Sequence, residues 1–233
     1  MLSERQAQFL EAVIREYTKT AEPVGSGRLT EMVGHRVSPA TARNELAVLE
    51  QDGYLTHPHT SAGRVPTEKG YRFFITHFLR RDEGWAPDQA FLAELQRARR
   101  HFSLSLKTIA QRLAEETGEV ALIGFGSRTI SSGLANLFAQ PEFQDYGSAM
   151  RFFKMLDQVD EVMHNLEARL QDEYAVYLGS ENPFGQHCGM VLVRIRQRPA
   201  GEGILGLVGP VRMDYEHHLA VLETIRDVIE ETA

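Results

Sequence analysis

Ser38-Pro39 fixes the start of a helix more firmly than any other pair in this chain. A serine hydroxyl can cap the free amides of a first turn. A proline loses nothing at the first helical position, because its missing N–H would have no partner there. The helix opened this way should end near Gly53. At about 100° per residue, Ala42, Leu46 and Leu49 fall in one narrow arc, and Ala40, Arg43, Asn44 and Ala47 fall in another, roughly opposite. The first arc must face a core. The second is small and polar, with Arg43 and Asn44 as its only long hydrogen-bonding side chains. Small neighbours let a helix approach a groove closely, and Arg can pair bidentately with guanine as Asn can with adenine.

The flanks frame this helix. A first helix should run from an N-cap at Ser3 to Thr20, with Phe9, Leu10, Val13, Ile14 and Tyr17 on one face. Pro23-Val24-Gly25 breaks it. Ser26 is expected to cap a short second helix, and Gly34 to Val37 to turn into the third. After Gly53, Tyr54-Leu55 reads as a short strand. Thr56 to Pro66 has the composition of a hairpin tip, with Gly63 expected to supply a positive φ. Thr67 should cap a helix carrying Tyr71, Phe73, Phe74, Ile75 and Phe78. Helix, turn, helix and wing together imply a winged helix-turn-helix over residues 1–80. Its expected duplex-facing set is Ser38, Ala40, Thr41, Arg43 and Asn44, then His57, His59, Thr60, Ser61, Gly63 and Arg64, then Thr67, Lys69 and Tyr71. Arg43 and Asn44 would read bases. Thr41, Lys69 and the wing would hold the backbone.

Charge supports this division where the whole-chain sum hides it. The net charge is −7, yet a duplex feels the local field. Residues 1–81 hold 11 Lys+Arg and 9 Asp+Glu, leaving 14 and 23 for the rest. Between Gly53 and Arg81, Arg64, Lys69, Arg72, Arg80 and Arg81 face only Glu68. A basic head on an acidic body is the pattern of a regulator.

Residues 81–88, with Gly84 and Pro87, read as a linker, and residues 89–233 as one α+β body. Gln89 to Thr117 and Ser148 to Gln171 each read as a single long helix. Val120–Ile123, Tyr174–Leu178, Met190–Arg196 and Gly203–Val208 read as strands. Gly124 to Gly133 reads as a flexible stretch, Leu134 to Phe138 as a helical turn, and Asp214 to Glu231 as a closing amphipathic helix.

Other chemistries find little support. No apolar run approaches the roughly 18 residues of a membrane span. The N-terminus has no apolar h-region, and the single Cys188 cannot form an internal disulfide, so a reducing cytoplasm is expected. His57 and His59 lack further ligands nearby, so no metal is expected. Cys188 beside His187 lacks an orienting third group, so catalysis is not expected. No cofactor is implied. Arg212 is expected in a structural ion pair.

Several motifs resemble, in order, the HrcA-type heat-inducible transcription repressors of bacteria: Pro23-Val24-Gly25-Ser26, Ser38 to Glu45, Pro58 to Thr67, Gly70-Tyr71-Arg72, Gln140-Pro141-Glu142-Phe143, Gly179-Ser180-Glu181-Asn182, and Gly206 to Tyr215. The resemblance implies a homodimer on an inverted-repeat operator upstream of chaperone genes. It also implies a GroEL-type chaperonin as partner, no membrane, and a bacterial protein on the nucleoid when bound to DNA. The body would be a GAF-like domain carrying an inserted dimerising domain. Here that body is shortened. Little room remains between Gly126 and Gly133 for the family's strands and insert, so the long helices are the expected dimer seam. The alternative is a ligand-responsive winged-helix regulator whose GAF-like domain takes a small molecule, with Glu181 to Pro183 and Gly209 to Met213 as the lining.

Overall fold

The computed structural model describes residues 2–34, 37–58, 63–80, 85–98, 101–144, 146–197 and 201–230. The chain divides into two compact units, Met1–Arg80 and Arg81–Ala233.

In the first unit, α1 (Glu4–Thr20) starts on a capping box. Ser3 accepts from the Gln6 amide, and the Gln6 side chain accepts from the Ser3 amide. Phe9, Leu10, Val13 and Ile14 are buried on its inner face. α2 (Ser26–Met32) begins one residue earlier than expected: Gly25 is the N-cap, and Ser26 is already helical. α3 (Pro39–Gln51) follows the expected chemistry, with Ser38 Oγ accepting from the Thr41 amide at 3.1 Å and Pro39 in the first turn. β1 (Leu55–Thr56) and β2 (Val65–Pro66) form an antiparallel pair, and α4 (Glu68–Phe78) is capped by Thr67.

The expected role of Gly63 is corrected. Its φ is not positive. A Cβ there would lie 2.5 Å from the Val24 carbonyl carbon and 2.7 Å from that of Pro23. Glycine is needed because the wing strand runs hard against the α1–α2 connection. Val24 and Arg64 exchange both backbone hydrogen bonds there, at 2.8 and 2.9 Å. The wing is thus anchored by an isolated antiparallel bridge to Val24 that the turn composition did not reveal.

The second unit is α+β. Two antiparallel hairpins and a long central pair give a five-stranded sheet in the order β4-β3-β7-β6-β5. The strands are β3 (Val120–Phe125), β4 (Arg128–Ser132), β5 (Tyr174–Leu178), β6 (Cys188–Gln197) and β7 (Gly201–Pro210). Val120, Leu122, Met190, Leu192, Ile204 and Val208 point to one face, in a core with Leu137, Phe143, Phe152, Met163 and Leu166. Ala121, Ile123, Val191, Val193, Leu205 and Leu207 are buried on the other, where α6 (Phe102–Thr117) meets β3 and α10 (Tyr215–Glu230) meets β6. Burial on both faces explains why β3, β6 and β7 read as nearly unbroken apolar runs.

Three expectations change here. Gln89–Thr117 is two helices, α5 (Gln89–Ala98) and α6, which pack on each other. The stretch from Tyr146 is likewise two, α8 (Tyr146–Leu156) and α9 (Val159–Arg169). In both cases the apolar periodicity resumes after the break, because both helices face the same core. The third change concerns Gly124 to Gly133, which is not a flexible stretch. Gly126-Ser127 turns β3 into β4, and the two strands pair from Ala121↔Ser132 to Phe125↔Arg128. α7 (Leu134–Ala139) follows as expected.

Candidate nucleic-acid interface

On α3 the two arcs separate as their spacing requires. Ala42, Leu46 and Leu49 are buried, and Ala40, Arg43, Asn44 and Ala47 are exposed. Neither Arg43 nor Asn44 has a side-chain hydrogen bond or ion pair among the described residues. Their donors are therefore available to an outside partner. The helix is locked at its other side by Glu45, buried and ion-paired with Arg5, with Gln6 Nε2 donating to it at 3.3 Å. Sequence reasoning missed Glu45, since an acid flanked by helical polar residues looks like a solvated one.

The remaining expected residues are more occupied. Ser38 Oγ serves the cap and lies 3.0 Å from Thr41 Oγ1, so both hydroxyls are already partnered. Thr67 Oγ1 donates to the Gly53 carbonyl at 2.7 Å while accepting from the Gly70 amide at 3.1 Å. Lys69 Nζ donates to the Asp52 carbonyl at 2.7 Å and sits 4.3 Å from the centre of the Tyr54 ring. It caps the carboxyl end of α3, where a cation meets the helix dipole. Tyr71 is 2% exposed and belongs to the core, so its place in the duplex-facing set is corrected: α4 turns it inward, beside Phe74. His59, Thr60 and Ser61 lie outside the described residues.

One carboxylate organises the base of the wing. Glu50, in the last turn of α3, pairs through Oε2 with Arg64 Nε at 2.8 Å and through Oε1 with His57 Nδ1. It joins α3 to both wing side chains and offsets the Arg64 charge locally. Among the described residues, Arg43 is therefore the cation on this face left without an internal partner.

The body directs its polar groups inward. Arg212 Nε donates to Glu142 at 2.7 Å and its Nη2 to Gln140 Oε1 at 2.6 Å, the structural ion pair that was expected. Asn182 Oδ1 accepts from the Phe184 amide at 3.0 Å, inside the core. These residues hold turns together. Cys188 is buried, its Sγ contacts the Phe184 carbonyl, and burial with the nearby Glu119 carboxyl pushes its thiol up to about 12. A thiol so held is not a nucleophile. Burial also drives the Glu119 carboxyl up to about 8, which attraction from Arg212 opposes and the Glu142 charge reinforces. A separate groove of about 810 Å³ lies between the β3–β4 turn and α9, with Asp160, Glu161, His164 and Arg194 along it. Among the described residues, no group of three or more His, Cys, Asp or Glu is placed to hold a metal ion, and no helix is long and apolar enough to cross a membrane.

The model of the HrcA protein C-terminal domain matches residues 75–219. The chain belongs to the HrcA family. Relatives include the heat-inducible transcription repressor HrcA of Cutibacterium acnes, 41% identical over 125 residues that span 54% of this chain and 37% of the relative. That of Streptomyces albus G is 42% identical over 139 residues, 57% of this chain and 39% of its own length. That of Shouchella clausii is 25% identical over 329 positions covering 97% of this chain and 96% of the relative. An alignment of 329 positions with a chain of 233 residues leaves at least 96 of them without a counterpart here. This HrcA chain thus lacks internal sequence that its relative has. The family is one of transcription repressors, not enzymes. In fold, the chain is similar to a solved hypothetical protein, with a TM-score of 0.80 at 18% identity over 98% of each chain.

Proposed function

We propose that this HrcA-family chain is a sequence-specific DNA-binding repressor of heat-shock chaperone genes, acting as a homodimer on an inverted repeat. The observation that carries this reading is the exposed face of α3. Arg43 and Asn44 stand on it unpartnered, with Ala40 and Ala47 beside them leaving room for a groove. In this reading Arg43 and Asn44 contact base edges. Thr41 and the wing from His57 through His59, Thr60, Ser61, Gly63 and Arg64 lie along the backbone, with Ser38 and Thr67 fixing the helix starts and Lys69 the end of α3. A two-fold dimer places two such helices on successive major-groove faces, which is why an inverted repeat suits it. Family resemblance adds a GroEL-type chaperonin as a partner and the nucleoid as the place of action.

A footprint on the protein's own upstream DNA tests the reading. Protection of two half-sites is expected. Arg43→Ala should cost about 1–3 kcal/mol of operator binding and relax specificity. Equal binding of mutant and parent to operator and to scrambled DNA would sink it. The groove beside α9 favours a second reading, a small-molecule effector bound by the body. A metabolite screen by thermal shift, repeated with His164→Ala, tests that separately.

A further inference from the structure

Among the described residues, five large hydrophobic side chains are conspicuously exposed, and three of them lie on α8: Tyr146 at 80%, Met150 at 36% and Phe153 at 43%. At 100° per residue these fall within about 60° of one another. They flank the buried face that carries Phe152. Phe138 stacks on Phe153 with ring centres 4.9 Å apart and widens the patch. Aromatic side chains present about 150–250 Å² each, so the exposed fractions amount to a few hundred Å². A patch of that size on a soluble chain is commonly an interaction site.

We propose that a second copy of this chain covers the patch, with the two α8 helices antiparallel and Met150 at the two-fold axis. This deepens the proposed function, which needs a dimer, by giving the dimer its seam. The spacing is self-complementary. Tyr146 and Phe153 lie almost equally far to either side of Met150, so antiparallel apposition sets Tyr146 of each copy against Phe153 of the other. Thioether and rings then meet at the centre, a favourable contact. Charge selects the direction. A parallel pair would set Lys154 against Lys154, whereas the antiparallel pair carries Lys154 beside the opposing Tyr146 ring, where a cation is attracted. The patch supplies the apolar centre of an interface, and a stable dimer of about 800 Å² per copy requires the polar rim around it to be buried as well.

The full chain with Met150→Cys tests this. Its native Cys188 is buried, so the parent is a cysteine-silent background. Under mild oxidation Met150→Cys should convert to a covalent dimer, while Leu104→Cys on α6, where the parent side chain is even more open to solvent at 84%, should not. Sedimentation of Met150→Lys should show monomer at concentrations where the parent is dimeric. A monomeric parent, no cross-link at position 150, or a Met150→Lys chain that remains dimeric would overturn the seam. A cross-linked dimer that protects no DNA would leave the seam standing and sink the repressor reading. DNA protection without the cross-link would do the reverse.

Discussion

Arg43 on α3 and Arg212 after β7 are the same residue put to opposite use. Arg43 stands in solvent with no partner among the described residues. The Arg212 side chain is 14% exposed and spends its donors on Glu142 and Gln140. The same contrast runs through both units. The N-terminal unit builds a small apolar core and leaves polar groups on one helix face for something outside. The C-terminal unit keeps Glu119, Asn182 and His218 inside, each under a tenth exposed. A head of this kind is specified by what it shows, and a body by what it hides. Mutations should therefore act on binding in the first and on stability in the second.

The sharpest test of that division is the pH profile of the body, read by the fluorescence of Trp85, the single tryptophan. The Glu119 carboxyl is raised from 4.5 to about 8, so from 4.5 upward the folded state keeps a proton that the unfolded chain has released. Stability must fall as pH rises through that window, by an amount on the order of a few kcal/mol. Burial, with the charge of neighbouring His217, lowers His218 to about 3. The unfolded imidazole protonates below 6.5 while the folded one does not, so this contribution falls as pH drops from 6.5 towards 3. The two slopes oppose each other between 4.5 and 6.5. The body should lose stability from pH 6.5 to 8, and Glu119→Gln should flatten that limb. A parent profile flat above 6.5 would break the contrast.

Phe152→Ala comes next. Its ring lies 5.2 Å from that of Phe184 and 6.2 Å from that of Phe143, and it is fully buried. Truncation should cost about 3–5 kcal/mol in denaturant melts. In the head, Gly63→Ala forces a methyl into the backbone of Pro23 and Val24, an overpacking worth about 1–3 kcal/mol. That substitution sharpens the comparison, since it places a large stability effect in the head, beside the wing. Smallest is Glu50→Gln, which releases Arg64 and His57 from their shared carboxylate. Stability should move by about 1 kcal/mol or less. DNA affinity should rise, and the salt dependence should steepen by up to about one phosphate contact. An unchanged slope would mean that Arg64 stays clear of the duplex.

The sequence carried the head well, apart from what its wing leans on. Cap chemistry at Ser38 and the period of Ala42, Leu46 and Leu49 are local facts, and α3 obeys them. Tyr71 was placed in the duplex-facing set with Thr67 and Lys69, and only the packing of α4 shows that it faces inward. Glycine at position 63 was legible as necessary, but the reason was not. A turn glycine and a crowded glycine read alike until Val24 is seen beside it.

In the body, apolar runs marked β3, β6 and β7 because strands covered on both faces need them. β4 escaped notice: its residues Arg128–Ser132 carry one apolar side chain, Ile130, and the strand exists because β3 offers an open edge. The helix breaks after Ala98 and Leu156 were hidden for a related reason, since apolar spacing records which core a segment faces and not whether it stays straight.

What the sequence by itself determined was local: where helices begin, which side of α3 is wet, which strands are buried, and the charge contrast between the two halves. What only the tertiary structure decided was pairing between distant residues. Glu50 claims Arg64 and His57 of the wing, Glu45 ties α3 to α1, Arg212 reaches back to Glu142, and Glu119 loses its water. Each depends on contacts between residues far apart in the chain, and no local spacing encodes a distance that the fold alone closes.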